Sequence, residues 1–171
     1  MARAECSYCN AENSHFKIYQ DDLVMAFLEE KPSNPGHVVV APREHYTILE
    51  QVPDSVVVRL FAIANKISTA LFEVMGVQGT NIVVNNGVAA GQKIAHFGVH
   101  VVPRLANDGL GFQWEPKKVE EERMAEIEFR LKEQAKSSGA VEEKKIAMPE
   151  KKDVLEFNDD DYEMRQMIRI P

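Results

Sequence analysis

Two imidazoles and two thiols carry the most distinctive chemistry in this chain. His96 and His100 stand four residues apart in the string GQKIAHFGVHVVPR, residues 91–104. Strand side chains alternate faces, so a strand here places His96, Gly98 and His100 in one row and Phe97, Val99 and Val101 on the other face. Imidazole can transfer protons near neutral pH, and it can also act as a nucleophile. Two imidazoles flank a glycine at the point where a third would fit. The only cysteines, Cys6 and Cys9, form a Cys-x-x-Cys pair. In a reducing compartment that spacing points to metal binding or redox use rather than a structural disulfide.

The elements that must position these groups can be read from periodicity and breakers. Phe16–Gln20 and Val24–Leu28 read as two short strands joined at Asp21-Asp22. Residues 31–36, Lys-Pro-Ser-Asn-Pro-Gly, form a loop, and His37–Ala41 reads as a buried β-branched strand that ends at Pro42. Pro53 opens a helix, with Asp54 at the positive end of its dipole. Val56, Leu60, Ile63, Ile67, Leu71 and Val74 recur at spacings of three or four, and Gly76 closes the helix. Thr80–Val84 is a further strand, 85–91 a loop rich in Asn and Gly, and 96–103 the histidine-bearing strand. The pattern is α+β, with about five mostly antiparallel strands and one principal helix.

Composition shifts near Trp114. Residues 1–114 hold 8 Lys/Arg and 11 Asp/Glu, whereas 115–171 hold 12 and 16. We expect a main domain over 1–114 and a charged, partly helical extension over 115–171, with a helix at Val119–Lys136. Trp114 is an interface candidate, although a single tryptophan is as often core. Hydrophobic content of 44% supports a real core, and a net charge of −7 argues against nucleic acid or an acidic membrane as the main partner. No unbroken run of about 18 apolar residues or more occurs, and the N-terminus lacks the apolar stretch of a signal peptide. These features predict a cytoplasmic protein that does not span a membrane.

Four separated strings resemble the histidine triad (HIT) family over roughly residues 4–105. They are Cys6-x-x-Cys9; the run from Phe27 to Pro42 with its Pro35-Gly36-His37; Asn85-Asn86-Gly87 with Ala90-Gly91-Gln92; and the histidine string ending Pro103-Arg104. The Lys-Pro and Pro-Gly-His arrangement is most similar to the fragile-histidine-triad branch, which hydrolyses dinucleoside polyphosphates. Nucleoside phosphoramidases are the nearer competitor. The resemblance implies a HIT-like sheet, a homodimer joined edge to edge, and AMP or a dinucleoside polyphosphate as the bound nucleotide. In the family, the middle histidine attacks the α-phosphorus to form a nucleotidyl-histidine. Here that position is Gly98, so the chain is expected to bind nucleotides and turn them over very poorly. Residues two apart on a strand lie about 6.6 Å apart, and a reacting pair needs roughly 3–3.5 Å. His96 and His100 are therefore displaced too far to substitute.

The resemblance also assigns the remaining site residues. Asn85 and Gln92 match positions that touch the α-phosphate, and Lys93 stands where relatives carry Ser or Thr, facing either polyphosphate or solvent. His37 and Glu29 match positions near the nucleoside. Glu29 would accept bonds from the ribose diol or be a plain surface acid. Phe27 and Ile18 would line a slot for the base or simply pack in the core. His15 reads as an exposed loop residue. Cys6, Cys9, His45 and His96 match the four positions that bind structural zinc in some relatives; the alternative is ordinary thiols and unrelated histidines. Glycine inside a strand usually marks a bulge or a close approach. The sequence shows no such need at Gly98, and Asn85, Gln92 and His100 are all present. That favours a His→Gly replacement in an otherwise intact enzyme. A natural nucleotide-sensing pseudoenzyme is the alternative, and a scaffold whose acidic extension recruits a protein is the third reading.

Overall fold

The computed structural model describes residues 6–10, 16–112 and 114–137. The chain separates into two units, Met1–Gln113 and Trp114–Pro171. The first carries α1 (Ser7–Asn10), β1 (Lys17–Gln20), β2 (Val24–Leu28), β3 (Val38–Pro42), α2 (Asp54–Met75), β4 (Gly79–Val84) and β5 (Val99–Arg104). The second carries α3 (Glu121–Ser137), none of whose residues is buried. His15 and everything beyond Ser137 lie outside the described residues.

The five strands form one antiparallel sheet in the order β1-β2-β3-β5-β4. Alternation along each strand sorts its side chains onto two faces. Val24, Ala26, Val38, Val40, Val99 and Val101, with Phe97, pack against Val56, Leu60, Ile63, Ala64, Ile67 and Leu71 of α2. Met25, Phe27, Val39 and Ala41 point the other way and pack with Cys6 and Tyr8 around α1. β3 lies under both layers and is buried along its whole length. Full burial of each large side chain on the α2 stripe contributes about 1.5–3 kcal/mol relative to exposure.

Several expectations shift. Val74 is not part of the stripe, being 83% exposed; the helix turns it away before Gly76 closes the last turn at φ 62°. α2 is also the one helix, among the described residues, long and apolar enough to cross a membrane. Its apolar stripe faces the sheet, as a core helix requires. The Asp21-Asp22 connection holds because Asp21 Oδ1 accepts from the amides of Leu23 (2.9 Å) and Val24 (2.8 Å), an Asx turn. Arg59 of α2 locks that turn from the side, its Nε donating to Asp21 Oδ2 at 2.6 Å. Trp114 is 85% exposed.

Candidate functional site

Three distant parts of the chain meet at one end of the sheet. Cys6 and Cys9 bracket Tyr8 in α1, His45 follows β3, and His96 precedes β5. Their ligand atoms all lie within 4.8 Å of one another. Cys6 Sγ and Cys9 Sγ are each 3.4 Å from His96 Nδ1, and Cys9 Sγ is 3.2 Å from His45 Nδ1. Zn–S bonds of about 2.3 Å and Zn–N bonds of about 2.0–2.1 Å give a tetrahedron with edges of roughly 3.5 Å, so the four atoms suit a Cys2His2 ion. The far side of His96 is arranged accordingly. Its Nε2–H donates to the Pro42 carbonyl at 2.9 Å, which leaves the Nδ1 lone pair facing the thiols.

Beside this cluster, on the face opposite α2, lies a cavity of about 1030 Å³. Phe27, Glu29, His37, Asn85, Gln92, Lys93, His96, Gly98 and His100 all line it, so the structure brings the sequence-derived residues of the cavity together. Ile18 is not among the lining residues, whereas Phe16 is. A bulge between Lys17 and Tyr19 breaks the regular two-residue alternation of β1.

Within the cavity His37 and His100 form a directed pair. The Ser33 amide donates to His37 Nδ1 at 3.2 Å, so the His37 proton sits on Nε2. That atom lies 3.1 Å from His100 Nδ1 and donates to it. His100 in turn carries its proton on Nε2 as a donor. Burial pushes the His37 pKa down to about 4, with His100 adding to the shift. Burial also lowers His100, while Glu29 opposes. Both rings are therefore neutral at pH 7.

The strand expected over 96–103 begins only at Val99. Residues 96–98 precede it in an open bend, because the Phe97 amide donates to the Tyr46 carbonyl (2.6 Å) rather than to a neighbouring strand. The sorting of faces survives: Phe97 lies in the α2 core, and His96, Gly98 and His100 line the cavity. The structure also supplies the close approach that the sequence did not reveal. A Cβ at Gly98 would lie 3.1 Å from Val39 Cγ1 and 3.3 Å from Tyr8 Cε2.

Tyr8 was missed by sequence reasoning. It is 5% exposed, its ring meets Phe27 edge-on at 5.3 Å and His96 at 5.8 Å, and its hydroxyl donates to Glu29 Oε2 at 3.1 Å. Burial and the adjacent Glu29 carboxylate raise the phenol pKa, so it remains a donor. Its place between the two cysteines was the available signal. Phe112, another lining residue, had none; Arg104 stacks over it at 5.3 Å, while Asp108 anchors the same guanidinium (2.6 Å).

The loop after β4 is held by amide side chains. Gln92 Oε1 accepts from the Gly87 amide (2.8 Å), and its Nε2 donates to the carbonyls of Thr47 (2.7 Å) and Ile94 (2.9 Å). Gln92 thus shapes the cavity wall. Asn86 pairs with both oxygens of Glu50 (3.0 and 3.1 Å) and accepts from the Leu49 amide (2.9 Å). Lys93 is exposed at the cavity's rim.

A five-stranded antiparallel sheet with one packed helix, His96 just before β5, His100 within it and His37 entering β3 describes a HIT-type domain, and known proteins agree. Residues 10–107 match the HIT domain family, and the chain belongs to it. An uncharacterised HIT-like protein of Borreliella burgdorferi is 37% identical over 133 residues, covering 74% of this chain and 96% of that protein. Arabidopsis thaliana adenylylsulfatase HINT3 is 37% identical over 109 residues (62% and 55%). The asymmetrical bis(5'-nucleosyl)-tetraphosphatase of Schizosaccharomyces pombe is 34% identical over 91 residues (53% and 50%). Among solved structures, a Bacillus subtilis HIT-family protein superposes with a TM-score of 0.70 at 27% identity, covering 76% of this chain and 96% of that one. A zinc-bound histidine triad protein of Mycobacterium smegmatis gives 0.60 at 29% identity (78% and 99%).

Proposed function

We propose that this chain is a HIT-type nucleotide-binding protein whose site is built for chemistry at the α-phosphate of (di)nucleoside polyphosphates, and which turns them over barely or not at all. The observation that carries the reading is Gly98 at the position between His96 and His100, on the wall of a cavity that also holds Glu29, His37 and Asn85. The relatives named for hydrolysis of an adenylyl sulfate and of a bis(nucleosyl) tetraphosphate support the substrate class.

In the family's reaction the middle imidazole attacks the α-phosphorus. The bond to the leaving group breaks, and water or another acceptor then releases the nucleotide from the nucleotidyl-histidine. Neither remaining triad imidazole can take that role. His96 directs Nδ1 at the thiols and donates Nε2–H to Pro42. His100 accepts the His37 hydrogen bond at Nδ1, so its other nitrogen carries the proton as a donor, suited to stabilising phosphate charge but without a lone pair for attack. Asn85 and Lys93 supply further donors to the phosphates. Phe27 walls the base, and Glu29 accepts from the ribose hydroxyls. Zinc, held by Cys6, Cys9, His45 and His96, is structural, since four protein ligands leave no open position for water. The functional unit is a homodimer joined through a sheet edge.

A second reading concerns the origin of Gly98. Side chains of Val39 and Tyr8 stand 3.1–3.3 Å from where its Cβ would be, a packing that a natural nucleotide sensor built on glycine would keep and that a histidine would have to push aside by a few tenths of an ångström. Titration calorimetry with AMP, alongside a turnover assay on a diadenosine polyphosphate, tests both. AMP binding with little or no turnover is expected. Absence of AMP binding overturns the proposal, and rapid turnover by the unaltered chain overturns its inactive part. Gly98→His separates the two origins. Recovered hydrolysis with the fold unchanged favours the replaced enzyme, and a folded but inactive variant favours the sensor.

A further inference from the structure

We propose that Tyr8 is a positioning residue that couples occupancy of the Cys6, Cys9, His45 and His96 centre to nucleotide affinity, by holding the Glu29 carboxylate at the nucleoside end of the cavity. The inference rests on the nucleotide reading above and extends it to the control of that site.

α1 is a single turn, closed by one backbone bond from the Asn10 amide to the Cys6 carbonyl at 3.1 Å. A helix this short does not hold itself together. It is fixed by what its side chains reach, and these alternate in role. Cys6 and Cys9 point to the metal-ligand cluster. Tyr8, between them, reaches across the sheet face into the cavity. Its ring packs edge-on against His96, itself a member of the cluster, and against Phe27 on the base wall. The same ring lies over Gly98, where any bulkier residue would compete with it for space. Its hydroxyl ends on Glu29 Oε2 at 3.1 Å. One carboxylate oxygen is thereby occupied, and Oε1, 3.5 Å from the Lys31 amide, remains the better placed acceptor for a diol.

An ion drawing the two thiols and two imidazoles together therefore fixes the turn that carries Tyr8, and Tyr8 fixes Glu29. Loss of the ion frees the turn, withdraws the hydroxyl from Glu29 and strips the cover from Phe27. Linkage makes the effect reciprocal: nucleotide must tighten the ion by the same factor.

The test is titration calorimetry of AMP on zinc-loaded and chelator-stripped protein, wild type and Tyr8→Phe, with circular dichroism on each sample. For the wild type, stripping is expected to weaken AMP by about fivefold or more. In Tyr8→Phe, which keeps the ring and loses the bond to Glu29, the difference should fall below about twofold. The reciprocal measurement, competition for zinc by a chelator with and without saturating AMP, reads the same coupling without requiring a stable metal-free fold. A general loss of folding would act equally on both proteins, whereas coupling through Tyr8 disappears only in the variant. Equal AMP affinity with and without zinc overturns the proposal, as does an undiminished zinc dependence in Tyr8→Phe. Failure of the zinc-loaded wild type to bind AMP at all instead removes the nucleotide reading on which it stands.

Discussion

His37 Nε2 lies 3.1 Å from His100 Nδ1, and the Ser33 amide 3.2 Å behind His37 sets the direction of the proton between them. The arrangement needs both rings neutral: a proton on His37 Nδ1 would displace the Ser33 amide, one on His100 Nδ1 would displace the His37 donor, and one on each would place like charges side by side in a partly buried site.

A pH dependence of stability follows. The His37 pKa is pushed down to about 4 by burial and by His100, from an unfolded value of about 6.5. The unfolded chain binds more protons between those values, so stability rises with pH across that window. The contribution is present above about pH 6.5 and is lost as pH falls toward 4. Its upper bound is about 3 kcal/mol. Urea denaturation from pH 4 to 7 should show this slope, and His37→Gln should flatten it. An unchanged slope in the variant would mean that other groups carry the dependence.

Substitution at Gly98 probes the packing over it. Gly98→Ala introduces a Cβ 3.1 Å from Val39 Cγ1 and 3.3 Å from Tyr8 Cε2. Overpacking of this kind costs typically 1–3 kcal/mol. Both neighbours are side chains able to give slightly, so we expect about 1 kcal/mol, read as a lower denaturation midpoint. A gain in stability would show that the crowding is relieved at no cost.

Metal content offers an independent check. Elemental analysis of protein purified without chelator should find one zinc per chain. Cys9→Ser, which removes a thiol lying 3.2 Å from His45 and 3.4 Å from His96, should lose it and melt at a lower temperature. Full zinc retention in that variant would displace the assigned centre.

Gln92→Ala removes three bonds between its side-chain amide and the backbone. At about 0.5–1.5 kcal/mol each, discounted for partial exposure and replacement by water, the loss should be about 1–2 kcal/mol. AMP affinity should fall as the loop relaxes. Affinity loss without any stability loss would instead mark Gln92 as a direct phosphate contact.

Much of the arrangement was legible in the chain. Unbroken apolar runs located β2 and β3 because each strand has one face against each layer, and a three-to-four spacing marked α2. The Cys-x-x-Cys, His45 and His96 set was legible only through family resemblance, since the four residues come from three separate stretches of sequence. The start of β5 was misplaced because the Phe97 amide is claimed by Tyr46, 51 positions back along the chain, a partner that no local pattern announces.

Residue types and periodicity by themselves determined that His96, Gly98 and His100 alternate with apolar Phe97 and Val99, and that one long helix carries an apolar stripe. Local geometry repeats every two or 3.6 residues, so such facts are written in short windows. The tertiary structure alone decided that Tyr8 covers Gly98, that His37 donates a hydrogen bond to His100, and that His96 turns both nitrogens away from phosphate chemistry. Those outcomes depend on which distant atoms arrive within bonding distance, and only the packed sheet brings them there.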